Sequence, residues 1–259
     1  MSVEDLIRYW GEFDVKGDPL VHPQDADQIL NDPQVYEDET ETPEGWMVAS
    51  QLPGVHLGLL PTPYTGNLRK ADIFILMLNP GLAAVDFYAE RQQDYRDRLV
   101  RNIRQENLDE DAYPFFALDP RFCWSGAYKW WMGKLEKTIQ AIARQRAIGF
   151  VDATQELARR LAVVELFPYH SKSFGMHRVL AELPSAVHAR AATDGLAQLP
   201  DRLIIITRQV GAWDLADADH IVRYKNGQAR GASLSPNSLG GQRIIERMTE
   251  NLSLTSRGF

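Results

Sequence analysis

Cysteine is almost absent: Cys123 is the single one in 259 residues. No intrachain disulfide is possible, and a metal held by several thiolates is excluded. Long apolar runs are missing too. No stretch approaches the ~18 uninterrupted apolar residues of a membrane span, so no membrane partner is expected. Residues 1–5 contain neither a basic stretch nor an apolar one, which predicts a cytoplasmic chain without a secretion signal. Positive charge is not in excess, for the formal net charge is −7. A broad, non-specific grip on nucleic acid depends on neutralising phosphates and is not expected, although a local basic channel is compatible. Familiar catalytic signatures are absent as well: no Gly-x-Ser-x-Gly elbow, no Gly-Lys-Ser/Thr phosphate loop, no dinucleotide glycine spacing after the first strong strand, no His-x-x-x-His pair. Neither a catalytic metal nor an organic cofactor is expected.

What is present is a soluble-type composition, 44% hydrophobic and 24% charged, enough for one large domain with an appendage. Residues 1–54 read as a helical and acidic lead-in packed on the core, with short helices at 3–10 and 25–30 and acid concentrated between Tyr36 and Glu44. Residues 55–259 alternate strand-like and helix-like stretches. Strands are predicted at 72–78, 162–167, 203–207 and 220–224, each short, mostly apolar and containing β-branched residues. Tyr88, Tyr95, Leu99 and Ile103 share one helical face; so do Trp131, Leu135, Ile139 and Ile142, and again Ile244, Ile245, Met248 and Leu252. Asp152 with Gln155 has the spacing of a capping box opening a helix that ends near Leu161. Asn226 and Gly227 form a two-residue hairpin signal. Alternation of this kind predicts an α/β fold: a three-layer α/β/α sandwich round a central four-stranded, mostly parallel sheet.

The strongest local signal is the apolar run Ile73 to Leu78, which stops at Asn79, Pro80 and Gly81. A continuous run suits a strand covered on both faces. Pro80 gives no N–H to a ladder, and Gly81 tolerates close backbone approach. Open α/β sheets bind ligands outside the carboxyl ends of their strands, where Asn79 is delivered. Two readings of Asn79 are open at this level: a cap on its own turn, or a ligand-facing amide. His170 is likewise either a satisfied core histidine or a catalytic group. The loops after the four strands also hold Asp86, Lys172, Arg208, Arg230 and the aromatics Phe87, Tyr88, Tyr169, Phe174 and Trp213. Flat apolar groups with a few convergent polar ones suit a planar heterocycle. Ser233, Ser235, Asn237 and Ser238 precede a helix whose N-terminus suits a phosphate, or else form a polar surface loop.

Three segments resemble the uracil-DNA glycosylase superfamily, most closely its mismatch-specific uracil/thymine branch. Leu78-Asn-Pro-Gly-Leu82 resembles that branch's first motif. Val163-Val-Glu-Leu-Phe-Pro168 resembles the second-strand segment, whose end, with Glu165 and Phe167, approaches the base. Ser233-Leu-Ser-Pro-Asn237 resembles the second motif, a loop that enters the minor groove. Tyr128-Lys-Trp-Trp131 is similar to the aromatic start of the helix after the first motif. The resemblance implies hydrolysis of the N-glycosidic bond of a flipped-out damaged or mismatched base, with DNA as partner, possible action on single strands, and a monomeric enzyme. Asn79 would position water; His170, a catalytic candidate that the resemblance itself does not supply, could substitute in space for the motif histidine. Pro80, Gly81 and Phe87 or Tyr88 would contact the base, and Ser233, Ser235 and Asn237 the phosphate. The sequence departs from the pattern at Glu165, where several branches place an asparagine, and at Ser233, where some place a histidine. Two other functions stay open: a non-catalytic nucleic-acid or nucleotide-binding module on the same fold, and a hydrolase or transferase for a small nucleoside or sugar phosphate.

Overall fold

A computed structural model describes residues 2–33, 35–36, 41–224 and 233–250. The predicted hairpin at Asn226 and Gly227, Arg230, Leu252 and the acidic residues 37–40 lie outside the described residues. Among the described residues the strands are β1 (Val35–Tyr36), β2 (Val55–His56), β3 (Tyr64–Thr65), β4 (Ile73–Met77), β5 (Leu161–Glu165), β6 (His170–Ser171), β7 (Leu203–Ile206) and β8 (Ile221–Arg223). The four predicted strands are β4, β5, β7 and β8. They form one sheet in the order β3-β5-β4-β7-β8, and all pairings among those four are parallel.

The sheet therefore has five strands rather than four. The additional edge, β3, runs antiparallel, with Tyr64 opposite Val164 and Thr65 opposite Val163. It is two residues long, lies just after Pro61 and Pro63, and has no apolar run to announce it. Gly66 closes it at φ +97; a Cβ there would stand 2.4 Å from the carbonyl oxygen of Leu161, so only glycine fits the approach.

β4 is fully buried because both its faces are covered. Ile73, Ile75 and Met77 join one apolar cluster with Leu135, Leu157 and Ile244, from helices Gly126–Arg146, Phe150–Arg160 and Leu239–Thr249. Phe74, Leu76 and Leu78 join the other, with Leu6, Leu99 and Ala189 from helices Val3–Gly11, Gln93–Arg104 and Pro184–Ala197. The alternation is the period-two geometry of a strand. The lead-in residues Leu6, Trp10, Phe13 and Ile29 are thus part of the main core.

Two local expectations are corrected. The predicted helix through Tyr88 and Tyr95 is broken into Ala84–Glu90 and Gln93–Arg104, with Arg91 closing the first and Gln92 opening the second. Tyr88 consequently faces solvent while Tyr95 is buried. The capping box at Asp152 and Gln155 does not form, because the helix already starts at Phe150, with Gly149 at its cap.

β1, β2 and β6 make a second, three-stranded sheet, with His56 opposite His170. It ties the lead-in to the segment that follows β5. No helix among the described residues is long and apolar enough to cross a membrane.

Candidate active site

Chain order along the parallel strands reverses beside β4. The first connection leads to β5 on one side, and the next jumps back to β7 on the other. Crevices at such reversals, outside the carboxyl ends, are where open α/β sheets bind ligands. A cavity of about 510 Å³ opens there, within the usual range for small-molecule sites.

Asn79 stands at its mouth, half-buried. Its amide Nδ2 donates to Pro80 O at 2.7 Å and to Ser171 Oγ at 2.8 Å. The segment after β5 supplies Ser171 because it runs alongside the turn: Phe167 N donates to Leu78 O at 2.8 Å and Ser171 N to Pro80 O at 3.4 Å. Both readings of Asn79 therefore hold together. The side chain braces its own turn, and the bracing uses the amide hydrogens, leaving Oδ1 as an acceptor for a ligand.

His170 lies across the mouth. Its Nδ1 is 2.8 Å from Gly81 O. A carbonyl only accepts, so Nδ1 carries the hydrogen, and Nε2 is the acceptor of the neutral ring, 3.4 Å from Thr62 Oγ1. Asp86 accepts from Ala83 N at 2.8 Å. Its other oxygen crowds Gly126, where a Cβ would lie 2.6 Å away. Burial raises the Asp86 pKa, and the nearby His170 opposes that shift.

Two further carboxyls sit deeper. Glu165 is the last residue of β5, and its side-chain Oε2 is wholly enclosed without a hydrogen-bond partner. Desolvation pushes its pKa up to about 8, with Arg208 pulling the other way. Glu90 is also pushed up to about 8 by burial, although it accepts from Leu60 N at 3.0 Å and pairs with Arg96 at 3.1 Å. Arg208, just past β7, lines the cavity with its Nε enclosed and unpartnered. Aromatic walls come from Tyr95, Phe116, Trp130, Trp131 and Phe174.

Of the residues singled out in the sequence, Asn79, Pro80, Gly81, Asp86, Glu165, His170, Lys172, Phe174 and Arg208 converge on this cavity. The others lie elsewhere. Phe87 is buried with Trp46, Ala49 and Leu59, because it sits on the core face of its helix. Tyr88 points outward, edge-on to Trp124 at 5.7 Å. Phe167 is fully buried, packed against Tyr169 and Phe174. Ser233, Ser235 and Asn237 follow β8, at the far edge of the sheet, and do not line the cavity. The loop is occupied with itself: Tyr224 OH donates to Ser233 O, Gly240 N donates to Tyr224 OH at 3.1 Å, and Ser238 Oγ caps Gly241 N at 3.1 Å. Those helix N–H groups are already used.

Sequence reasoning overlooked Glu90, Tyr95 and Phe116 as cavity residues. Nothing in the local pattern separates a helix-face glutamate from a solvated one; only its meeting with the Leu60 backbone does. Among the described residues, no group of three or more His, Cys, Asp and Glu is arranged to hold a metal. No family model matches the chain, and comparison with curated proteins and with solved structures returns no match.

Proposed function

We propose that the protein hydrolyses the N-glycosidic bond of a flipped-out, damaged or mismatched DNA base, on a three-layer α/β/α domain. The carrying observation is Asn79, which lines an aromatic cavity at the strand reversal and whose amide hydrogens are engaged by Pro80 and Ser171, leaving Oδ1 as the acceptor. A neutral amide orients water but is a poor proton acceptor. His170 Nε2, held by the Gly81 contact on the opposite nitrogen, takes the proton. Asp86, close enough to feel the His170 charge, stabilises the imidazolium that results. The water oxygen bonds to the sugar carbon, and the C–N pair leaves with the base. Base stacking on the aromatic walls contributes ~1–3 kcal/mol.

The test is single-turnover excision from oligonucleotides carrying uracil, hypoxanthine, xanthine or a thymine mispair. Asn79→Ala is expected to slow release by ~10²–10⁴-fold. No excision from any of them by folded protein overturns the proposal.

A second reading has its own support. The formal charge of −7 and the position of residues 233–237 outside the cavity favour a small nucleoside over a duplex. Base release from free nucleosides, with none from oligonucleotides, would decide for it.

A further inference from the structure

Glu165 and Arg208 reach the cavity from opposite sides of β4. Glu165 ends β5, and Arg208 lies two residues beyond the end of β7. The register puts Glu165 opposite Met77 and Ile206 opposite Leu76, so the two groups stand at nearly the same height. Two strand spacings separate their backbones, about 10 Å. No ion pair joins them among the described residues, and each keeps an enclosed polar atom, Glu165 Oε2 and Arg208 Nε, without a hydrogen-bond partner. Most buried polar atoms have a hydrogen-bond partner, and two unpartnered ones of complementary chemistry lining one cavity are available to a ligand.

We infer that this pair selects a 6-oxopurine as the base. The inference rests on the cavity being a base-binding site, as proposed above. Arg208 offers a planar fork of donors that matches O6 and N7, the edge on which arginine binds guanine bidentately. Glu165, on the other flank, meets the adjoining edge, where O6 accepts and N1–H donates. A protonated carboxyl offers one donor and one acceptor, the complement of that edge; burial keeps Glu165 largely in this form at neutral pH. Adenine would turn its N6 amino donors onto the guanidinium. Pyrimidines lack N7 and leave half the fork unmatched. Trp130 and Trp131 supply flat surface for a bicyclic ring.

The pairing also suits hydrolysis. When the C1′–N9 bond breaks, its electron pair passes into the purine, and the charge spreads onto O6 and N7, where Arg208 donates. An ionised glutamate would oppose that charge, and a neutral one does not.

The experiment titrates free hypoxanthine, adenine and uracil into the full-length chain by calorimetry, and in parallel measures excision from oligonucleotides carrying the same three bases. Hypoxanthine is expected to bind ten- to hundredfold more tightly than the other two. Arg208→Met should erase that preference without moving the thermal midpoint, since Arg208 makes no hydrogen bond to the fold. Glu165→Gln should keep it, because an amide also offers one donor and one acceptor. Equal binding of the three bases, no binding of any, or a preference that survives Arg208→Met overturns the inference. Excision of uracil with no preference for hypoxanthine overturns it while sparing the glycosidic-hydrolase proposal. A hypoxanthine preference with no excision supports it and overturns hydrolysis.

Discussion

The phenol of Tyr169 donates to Asp25 Oδ2 at 2.6 Å, across 144 residues of chain. Tyr9 OH donates to the other oxygen at 3.1 Å, and Ser185 N to the same one at 2.9 Å. His22 N closes the network on Tyr169 OH at 3.1 Å. Tyr169 immediately precedes His170, so the buried Asp25 of the lead-in holds one wall of the candidate site in register.

Tyr169→Phe removes one donor from a buried carboxylate and the acceptor of His22 N. Such losses cost about 1–3 kcal/mol. For a chain of this size the thermal midpoint should fall by roughly 2–12 °C, read by calorimetry. Base excision should weaken as well, because the β6 strand that carries His170 loses its anchor. An unchanged midpoint would show that the network is incidental.

Ser171→Ala removes the acceptor that fixes the Asn79 amide. Asn79 then keeps its Pro80 contact but can rotate, so Oδ1 is less often aimed at water. The expected result is a lower kcat, by about tenfold, with base affinity little changed. Ser171→Thr, which restores the hydroxyl, should recover most of it. Loss of affinity with kcat intact would contradict the assigned role.

Stability should depend on pH through Glu165 and Glu90. Both are raised from 4.5 in the free state to about 8 by burial. Between those values the folded chain binds protons that the unfolded chain has lost, so their contribution is full below pH ~4.5 and falls as pH rises towards 8. Arg208, Asp86, His170 and Lys172 share the cavity with Glu165, so a difference measurement is the clean one. Glu165→Gln should raise the unfolding free energy at pH 8.5 by an amount on the order of a few kcal/mol and leave it nearly unaltered at pH 4.5. A gain confined to acid pH would reverse the assignment.

Arg98 is the strut of the segment between the Gln93–Arg104 and Gly126–Arg146 helices. Its buried Nη2 donates to Tyr113 O at 3.1 Å and Pro114 O at 2.8 Å, it pairs with Asp111 at 3.2 Å, and it lies over the Phe116 ring at 5.3 Å. Phe116 lines the cavity. Arg98→Met leaves those two carbonyls unmatched, while Asp111 keeps its pair with Arg101 at 3.1 Å, at a cost of about 1–3 kcal/mol. Limited proteolysis should cut between residues 108 and 125 faster than in the parent, and base affinity should fall with it.

The strongly apolar elements were legible because their chemistry is local. Ile73 to Leu78 must be a strand covered on both sides, Asn79-Pro80-Gly81 must stop it, and the Trp131, Leu135, Ile139 and Ile142 stripe must face a core. β3 was illegible: Tyr64 and Thr65 form a strand only because Val163 and Val164 lie beside them. Phe87 and Tyr88 show the same limit. Both follow the turn, yet the helix phase buries one and exposes the other.

The sequence by itself determined to within a residue or two where the central strands end, and so placed Asn79, Glu165 and Arg208 near one end of a parallel sheet. That follows from hydrophobic period and turn chemistry, which act over a few residues. Only the tertiary structure decided which of them share a cavity. Strand order put β5 and β7 on either side of β4 and sent residues 233–237 to the far edge. Burial then changed what the groups are, turning Glu165 and Glu90 from surface-type acids into carboxyls that hold their protons near neutrality. Desolvation depends on what surrounds a side chain in space, and neighbours in space are not written in the order of the chain.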